Sequence, residues 1–382
     1  MKRTEFQNVI SISFSQFGTA FAFNFIYVFL PFYVYGISPY SARETLLWIG
    51  AIMGSTGLCL AFTAPGWGSL SHRLSPKKLY IAGILPQAIL FLLMGFSANL
   101  HVLLVLRILQ GAFGGVSTTG LIIISVSSSP KNRAFHFGIF QSSITLGQLV
   151  GPPIGSFAVA VLGYQWAFVS ASLILFAASA FSYFFVIDLP PLPEEMKSSI
   201  WSSLDKPTLT GWALCLGATI HLVFLPSVFP IVFHKFGLDQ DVALKTAGLV
   251  VMLYTSTAMI GTYVWSFLSR RTGVKRMINF LLLTGVVLPA LLVFTGEITS
   301  FTIVVMLEIG MVAAIIPITI SMFAAEPKGN VIGFMNAARF VGMAVGPLLA
   351  TSLLAFADTS ALYLSVSGIT LAVYLASRAF IK

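Results

Sequence analysis

Residues 138–155 read GIFQSSITLGQLVGPPIG, and residues 333–350 read GFMNAARFVGMAVGPLLA. Gly138, Gly147, Gly151 and Pro152 in the first run fall on Gly333, Gly342, Gly346 and Pro347 in the second, at an offset of 195 residues. A spacing kept over so many positions marks an internal repeat, so the chain is expected to consist of two similar halves. Gly147, Gly151 and Gly155 recur every fourth residue, which puts a smooth groove on one helix face where another backbone can come close. Pro152 removes one helical hydrogen bond and permits a bend. Close packing with a bend suits a rocking interface between two helical bundles. Generic helix packing is the competing explanation, and recurrence of the spacing in the second half argues against it.

Working outward, both runs lie in long apolar segments of a 382-residue chain that is 57% hydrophobic and 9% charged, with mean hydropathy +0.94. A soluble protein of this length needs far more polar surface. A spanning helix takes about 20 apolar residues. Twelve such segments are expected, near 10–36, 45–71, 79–98, 101–127, 134–160, 164–188, 208–234, 243–269, 274–296, 299–323, 329–356 and 359–381. Their length and lack of period-two alternation favour helices over barrel strands. The first segment is too long for a cleaved leader and is expected to remain as a span.

Basic residues set the orientation. Arg73, Lys77, Lys78, Lys131, Arg133, Arg270, Arg271, Lys275 and Arg276 fall in loops on the N-terminal side, against Arg43, Lys235 and Lys245 on the other. Both termini are therefore expected in the cytoplasm. The same scatter over separate loops accounts for the formal charge of +9 and speaks against a nucleic-acid partner. Cys59 and Cys215 are isolated, so neither a disulfide framework nor a metal site is expected, and no cofactor. The stretch DLPPLPEEMKSSIWSSLDK, 188–206, breaks the apolar pattern. It divides the chain into a bundle over 1–188, a cytoplasmic linker over 189–207 and a bundle over 208–382. The expected fold is all-α, with twelve transmembrane helices in two pseudo-symmetric six-helix bundles.

Further repeats carry chemistry. The segment from Gly68 through His72, Arg73, Ser75, Lys77 and Lys78 aligns with Ser266 to Arg276 at an offset of about 198. The fourth span contains Arg107-Ile-Leu-Gln110-Gly111. Together with the glycine-proline run, these elements resemble the major facilitator superfamily, specifically its twelve-helix drug:proton antiporter branch, over essentially the whole chain. The loop after the second span matches that family's G-x3-D-R/K-x-G-x-R/K-R/K pattern at Gly68, Arg73, Lys77 and Lys78. His72 replaces the acid and Ser75 the second glycine, which implies a weaker or pH-sensitive latch. Ordinary topology-setting charges are the alternative.

An arginine inside an apolar helix costs about 2.5–3.5 kcal/mol on insertion scales, so Arg107 must face protein, water or a partner. The resemblance places it beside a central cavity where it modulates a proton site; snorkelling to the outer interface competes. Of the 12 acids, Glu308 alone sits near the middle of an expected span. The repeat relates it to Gln110. His221 lies mid-span in the seventh segment, its counterpart close to Asn24 in the first. The resemblance implies that the first, fourth, seventh and tenth helices line the cavity, gathering Asn24, Tyr27, Arg107, Gln110, His221 and Glu308. A carboxyl there can carry a proton. A protonated glutamic acid that only ties helices, and a histidine that only packs, remain open alternatives, as does lipid-facing filler for the many phenylalanines.

The resemblance implies a secondary active transporter that exchanges protons for small amphiphilic or hydrophobic compounds by alternating access, not an enzyme. Glu308, Arg107 and His221 are the expected proton-coupling residues; Asn24, Gln110, His221 and Tyr27 the expected substrate contacts. One acid beside one or two bases suits neutral, zwitterionic or anionic substrates. Alternatives are a dedicated carrier of one metabolite, such as a siderophore, sugar or lysolipid, and, from another class, a membrane-embedded enzyme or a transport-dead receptor. The expected setting is a bacterial inner membrane, with the lipid bilayer, protons and a small molecule as partners and the chain a monomer.

Overall fold

The computed structural model describes residues 2–129, 131–191, 205–323 and 329–380. Most of the expected linker, residues 192–204, lies outside them. The described chain is helical throughout: α1 (Lys2–Ile37), α2 (Ala42–Leu70), α3 (Pro76–Gly95), α4 (Leu100–Ala112), α5 (Val116–Ser127), α6 (Arg133–Phe185), α7 (Lys206–Val223), α8 (Phe229–Lys235), α9 (Gln240–Thr272), α10 (Val274–Leu291), α11 (Ile298–Val312), α12 (Ile315–Phe323), α13 (Gly329–Phe356) and α14 (Thr359–Phe380). Among the described residues, eleven helical stretches are long and apolar enough to cross a membrane. The longest, Phe135–Phe185, is divided at Gly163, whose φ of 79° and ψ of 167° are non-helical. Glycine adopts this backbone without steric cost, so the fifth and sixth spans reverse around one residue and the expected twelve spans result.

Three spans are broken in mid-course. The fourth consists of α4 and α5, parted at Phe113–Gly115; the tenth of α11 and α12, parted at Ala313 and Ala314; the seventh of α7 and α8, joined by a 3-10 turn at Pro226–Val228. The breaks in the fourth and tenth spans occupy equivalent places in the repeat.

By its contacts the chain forms two units. One comprises Met1–Tyr33 with Leu58–Met196, the other Val34–Gly57 with Lys197–Lys382. The segment Val34–Gly57 joins the second because Gly50, Gly54 and Gly57 lie against α13. A Cβ on Gly50 would meet the Thr351 hydroxyl at 2.0 Å, one on Gly54 the Ala344 carbonyl oxygen at 2.7 Å, and one on Gly57 the Ala344 nitrogen at 2.8 Å.

The glycine-proline runs make the same kind of contact in both units. Added Cβ atoms at Gly147, Gly151 and Gly155 would meet the α1 backbone at Phe21 N, Phe21 O and Phe25 O, at 2.7, 2.9 and 2.1 Å. In the other unit, Gly342 faces Thr219 and Leu216 of α7, and Gly346 faces Val223 and Ile220. The partner backbone therefore belongs to the same unit, whereas the sequence reading put this groove at the interface between bundles. A helix needs its bare glycine face where packing is closest, and here that place is the crossing with the first helix of its own half. Gly138 is exposed with nothing near its added Cβ. Gly333 lies in α13, and its surroundings fall outside the described residues.

Candidate functional site

Polar groups buried in spanning helices need partners, because lipid offers none. In the first unit they gather around the break of the fourth span. Arg107, 5% exposed, folds onto Oε1 of Gln110, its neighbour three residues on, and interacts electrostatically with Tyr27 of α1. Its burial removes snorkelling as the explanation for its place. Gln110 is fully buried, and its Nε2 has no hydrogen-bond partner among the described residues. Three residues of α2 and α3 that sequence reading passed over complete the region. The Thr63 hydroxyl lies 3.1 Å from both Cys59 O of its own helix and Gly111 O, Trp67 Nε1 donates to Ala112 O at 2.7 Å, and Gln87 Nε2 to Phe113 O at 2.9 Å. The Ala112 and Phe113 carbonyls at the helix break are thus each given a side-chain donor, while Gly111 O also accepts from Gly114 N at 3.1 Å. This is how irregular backbone is tolerated at membrane depth.

Asn24 is half-buried, and its Nδ2 donates to Ala20 O of its own helix at 2.8 Å. Its Cβ lies against Gly151, so the residue belongs to the α1–α6 crossing.

In the second unit the chemistry centres on α7, α11 and α14. His221 Nδ1 lies 2.6 Å from Glu308 Oε1, and its Nε2 lies 2.7 Å from the Thr370 hydroxyl. His221 is 2% exposed and Glu308 fully buried. The shared depth of these two residues in the sequence corresponds to direct contact. Thr370 was not anticipated. The repeat holds its signal: Ser172 stands 198 residues earlier and donates to Ala88 O of α3 at 2.7 Å. Gly285, 197 residues after Ala88, makes room for Thr370; an added Cβ would lie 3.2 Å from the threonine methyl and 3.9 Å from the His221 ring. A cavity of about 10 Å³ borders the imidazole and Thr370, space for one water at most.

The loop after the second span is a turn from Ser71 to Ser75. Ser75, where the resemblance calls for glycine, has extended backbone and caps α3, accepting from Lys78 N. Gly68 has open space around it. His72 is half-buried, Arg73 and Lys78 are exposed, and Lys77 Nζ stands 5.4 Å over the Tyr183 ring.

Two buried polar clusters in an apolar helical frame are suited to binding and releasing protons and polar solute groups. Among the described residues, no group of three metal-ligating side chains comes together. The family model described as Major Facilitator Superfamily matches residues 12–347. The chain is similar to the multidrug resistance protein MdtG of Proteus mirabilis, 26% identical over 357 residues that cover 90% of this chain and 88% of the relative. It is also similar to the staphyloferrin B transporter of Staphylococcus aureus, 27% identical over 186 residues, covering 49% and 44%. Among solved structures it resembles a bacterial homolog of the human lysosomal transporter Spinster, with TM-score 0.78, 15% identity and 100% and 98% of the two chains covered. The human organic anion transporter MFSD10 gives 0.73 at 18% identity, covering 97% and 99%. With a family model spanning most of its length and the helical frame to match, the chain belongs to the Major Facilitator Superfamily of membrane transporters.

Proposed function

We propose that this transporter couples entry of protons to efflux of small amphiphilic or hydrophobic compounds, with bundles 1–188 and 208–382 alternating access to a central site. Glu308 and His221 carry the proton, Arg107 sets the electrostatic field, and Gln110, Asn24 and Tyr27 offer polar contacts to substrate. The observation that carries this reading is the fully buried His221–Glu308 contact at 2.6 Å. A carboxyl and an imidazole enclosed together gain and lose protons at a cost that substrate and conformation can alter. Coupling then needs only that protonation and substrate occupancy exclude each other. Likeness to multidrug resistance proteins over nine-tenths of the chain supports the efflux direction. The basic loops support cytoplasmic termini in a bacterial inner membrane, and the chain acts as a monomer.

The test is proton flux in proteoliposomes, scanned over a chemically diverse panel. Glu308→Gln should abolish gradient-driven transport while substrate still raises the melting temperature of the purified protein. Undiminished uphill transport by that variant removes Glu308 from the scheme. A second reading, a dedicated carrier of one metabolite, draws on the half-length likeness to a staphyloferrin B transporter. Stabilisation by many compounds favours polyspecific efflux; stabilisation by one favours the dedicated carrier.

A further inference from the structure

His221 can carry its hydrogen on either ring nitrogen, and its partners decide which. Thr370 has one hydroxyl hydrogen and two candidate acceptors. Its oxygen lies 2.9 Å from Val366 O one turn earlier on α14 and 2.7 Å from His221 Nε2. If the hydroxyl donated to Nε2, the imidazole would carry its hydrogen on Nδ1 and Glu308 Oε1 would accept it, with the carboxyl either ionised or carrying its own hydrogen on Oε2. The ionised form buries a net negative charge, and the neutral form leaves a buried O–H without an acceptor, since Oε2 has no partner among the described residues. An isolated buried carboxylate is the costliest outcome available. If the hydroxyl donates to Val366 O, every hydrogen finds an acceptor. Thr370 Oγ1 accepts from Nε2–H, and Nδ1 shares one further proton with Glu308 Oε1, the pair remaining neutral wherever that proton sits.

We infer that Thr370 is a positioning residue for the proton site, holding His221 in the Nε2–H tautomer so that Nδ1 faces Glu308. The inference rests on the proposed proton-coupled reading and names the group that sets its pH response. The pair changes charge only when a second proton arrives or the shared one leaves. α10 cooperates by presenting Gly285, where any side chain would press on the Thr370 methyl.

The other ionisable neighbours are few. Tyr363, on α14, interacts electrostatically with Glu308. Tyr254 of α9 and Tyr374 of α14 are buried in helices of the same unit. On α7, Cys215 stands six residues before His221 and interacts with Arg339 of α13. Lys275 and Arg276 of α10 are exposed in its first turn, about 13 Å along the helix from Gly285 at 1.5 Å per residue. α12 brings no ionisable side chain.

Two measurements test the inference, and the first does not depend on transport. Nitrogen NMR of protein labelled in histidine, with His221 assigned by difference against His221→Asn, reports the tautomer directly. The expected spectrum has Nε2 protonated and Nδ1 in a strong hydrogen bond; a bare Nε2 with hydrogen on Nδ1 overturns the inference. The second compares Thr370→Val, which keeps shape and removes the acceptor, with Thr370→Ser, which retains it. The pH midpoint of proton-driven flux should fall by about one unit in the valine variant, a tenfold change in proton binding, and return in the serine variant. An unmoved midpoint for Thr370→Val, or an equal shift for both, overturns it. Absence of proton-coupled flux in the native protein with every substrate would sink the proposed function instead, leaving the tautomer to be judged by NMR alone.

Discussion

Gly261 of α9 and Gly310 of α11 meet backbone to backbone: a Cβ on Gly261 would lie 1.7 Å from the Gly310 carbonyl oxygen. One turn earlier on α11, Met306 O lies 2.8 Å from the Thr257 hydroxyl, which is equally close to Tyr254 O of its own helix. Residues 306 and 310 share one face of α11, and residue 308, turned by about 200° from 306 at 100° per residue, lies on the opposite one. The crossing therefore sets the rotation of α11 and aims Glu308 away from α9, toward His221.

Gly261→Ala should accordingly be disruptive in two ways. Forcing the helices apart costs about 1–3 kcal/mol, as overpacking does, seen as a lower melting temperature of purified protein. It should also weaken proton-driven flux, because Glu308 moves with its helix. Thr257→Val, which loses one hydrogen bond and keeps the shape, should cost only about 1 kcal/mol. Equal melting temperatures for native protein and Gly261→Ala would show that the crossing relaxes freely.

The break in the fourth span yields a test by coupling. A Cβ on Gly115 would lie 2.1 Å from the Trp67 indole, the same side chain that donates to Ala112 O. Gly115→Ala should destabilise the native protein more than it destabilises Trp67→Ala, where the ring is gone. A coupling energy of about 1 kcal/mol or more, typical of residues in contact, is expected from the four melting curves. Additive effects would remove Trp67 from the support of this break.

Much of this architecture was legible before any coordinates. Helix number and the repeat follow from apolar length and from a spacing kept across 195 to 198 residues, and the closeness of His221 and Glu308 from their shared depth on two helices that the family resemblance makes neighbours. What escaped notice shares one physical cause. Thr63, Trp67, Gln87 and Thr370 act through single hydrogen bonds to positions far away in sequence, and a lone polar residue in an apolar helix does not reveal which neighbour it faces. Gly50, Gly54, Gly261 and Gly310 were equally silent, since a glycine needed for close approach reads like any other until the partner backbone is known. The groove of Gly147, Gly151 and Gly155 was recognised as a groove, but spacing alone does not say which helix fills it.

Asp358, at the start of α14, supplies a pH test outside the spanning segments. Its carboxylate accepts from Ala361 N at 2.8 Å, and that bond, with smaller help from Lys235, holds it below the usual aspartate range near 3.8. A depressed carboxylate stabilises the fold above its unfolded pKa and loses that contribution as pH falls through the folded value. The melting-temperature gap between native protein and Asp358→Ala should be full at neutral pH and shrink below about pH 3.8. A gap that stays constant to lower pH would mean that the ionised carboxylate contributes nothing.

Ser75 and Gly273 are repeat equivalents that the chain uses differently. α2 ends at Leu70 and the chain takes a turn before Ser75, whose φ of −61° and ψ of 142° any residue adopts and whose hydroxyl caps α3. α9 instead runs on to Thr272, and Gly273 alone, at φ 90°, turns the chain into α10. Exchanging them should give unequal results. Ser75→Gly should cost only a few tenths of a kcal/mol, the usual difference between those residues as caps. Gly273→Ser places a side chain in left-handed backbone and should cost about 1–2 kcal/mol. If the two variants melted together, the second loop would have found another turn, such as the longer one its counterpart already uses, and the single-residue reversal at Gly273 would not be what orders the α9–α10 junction.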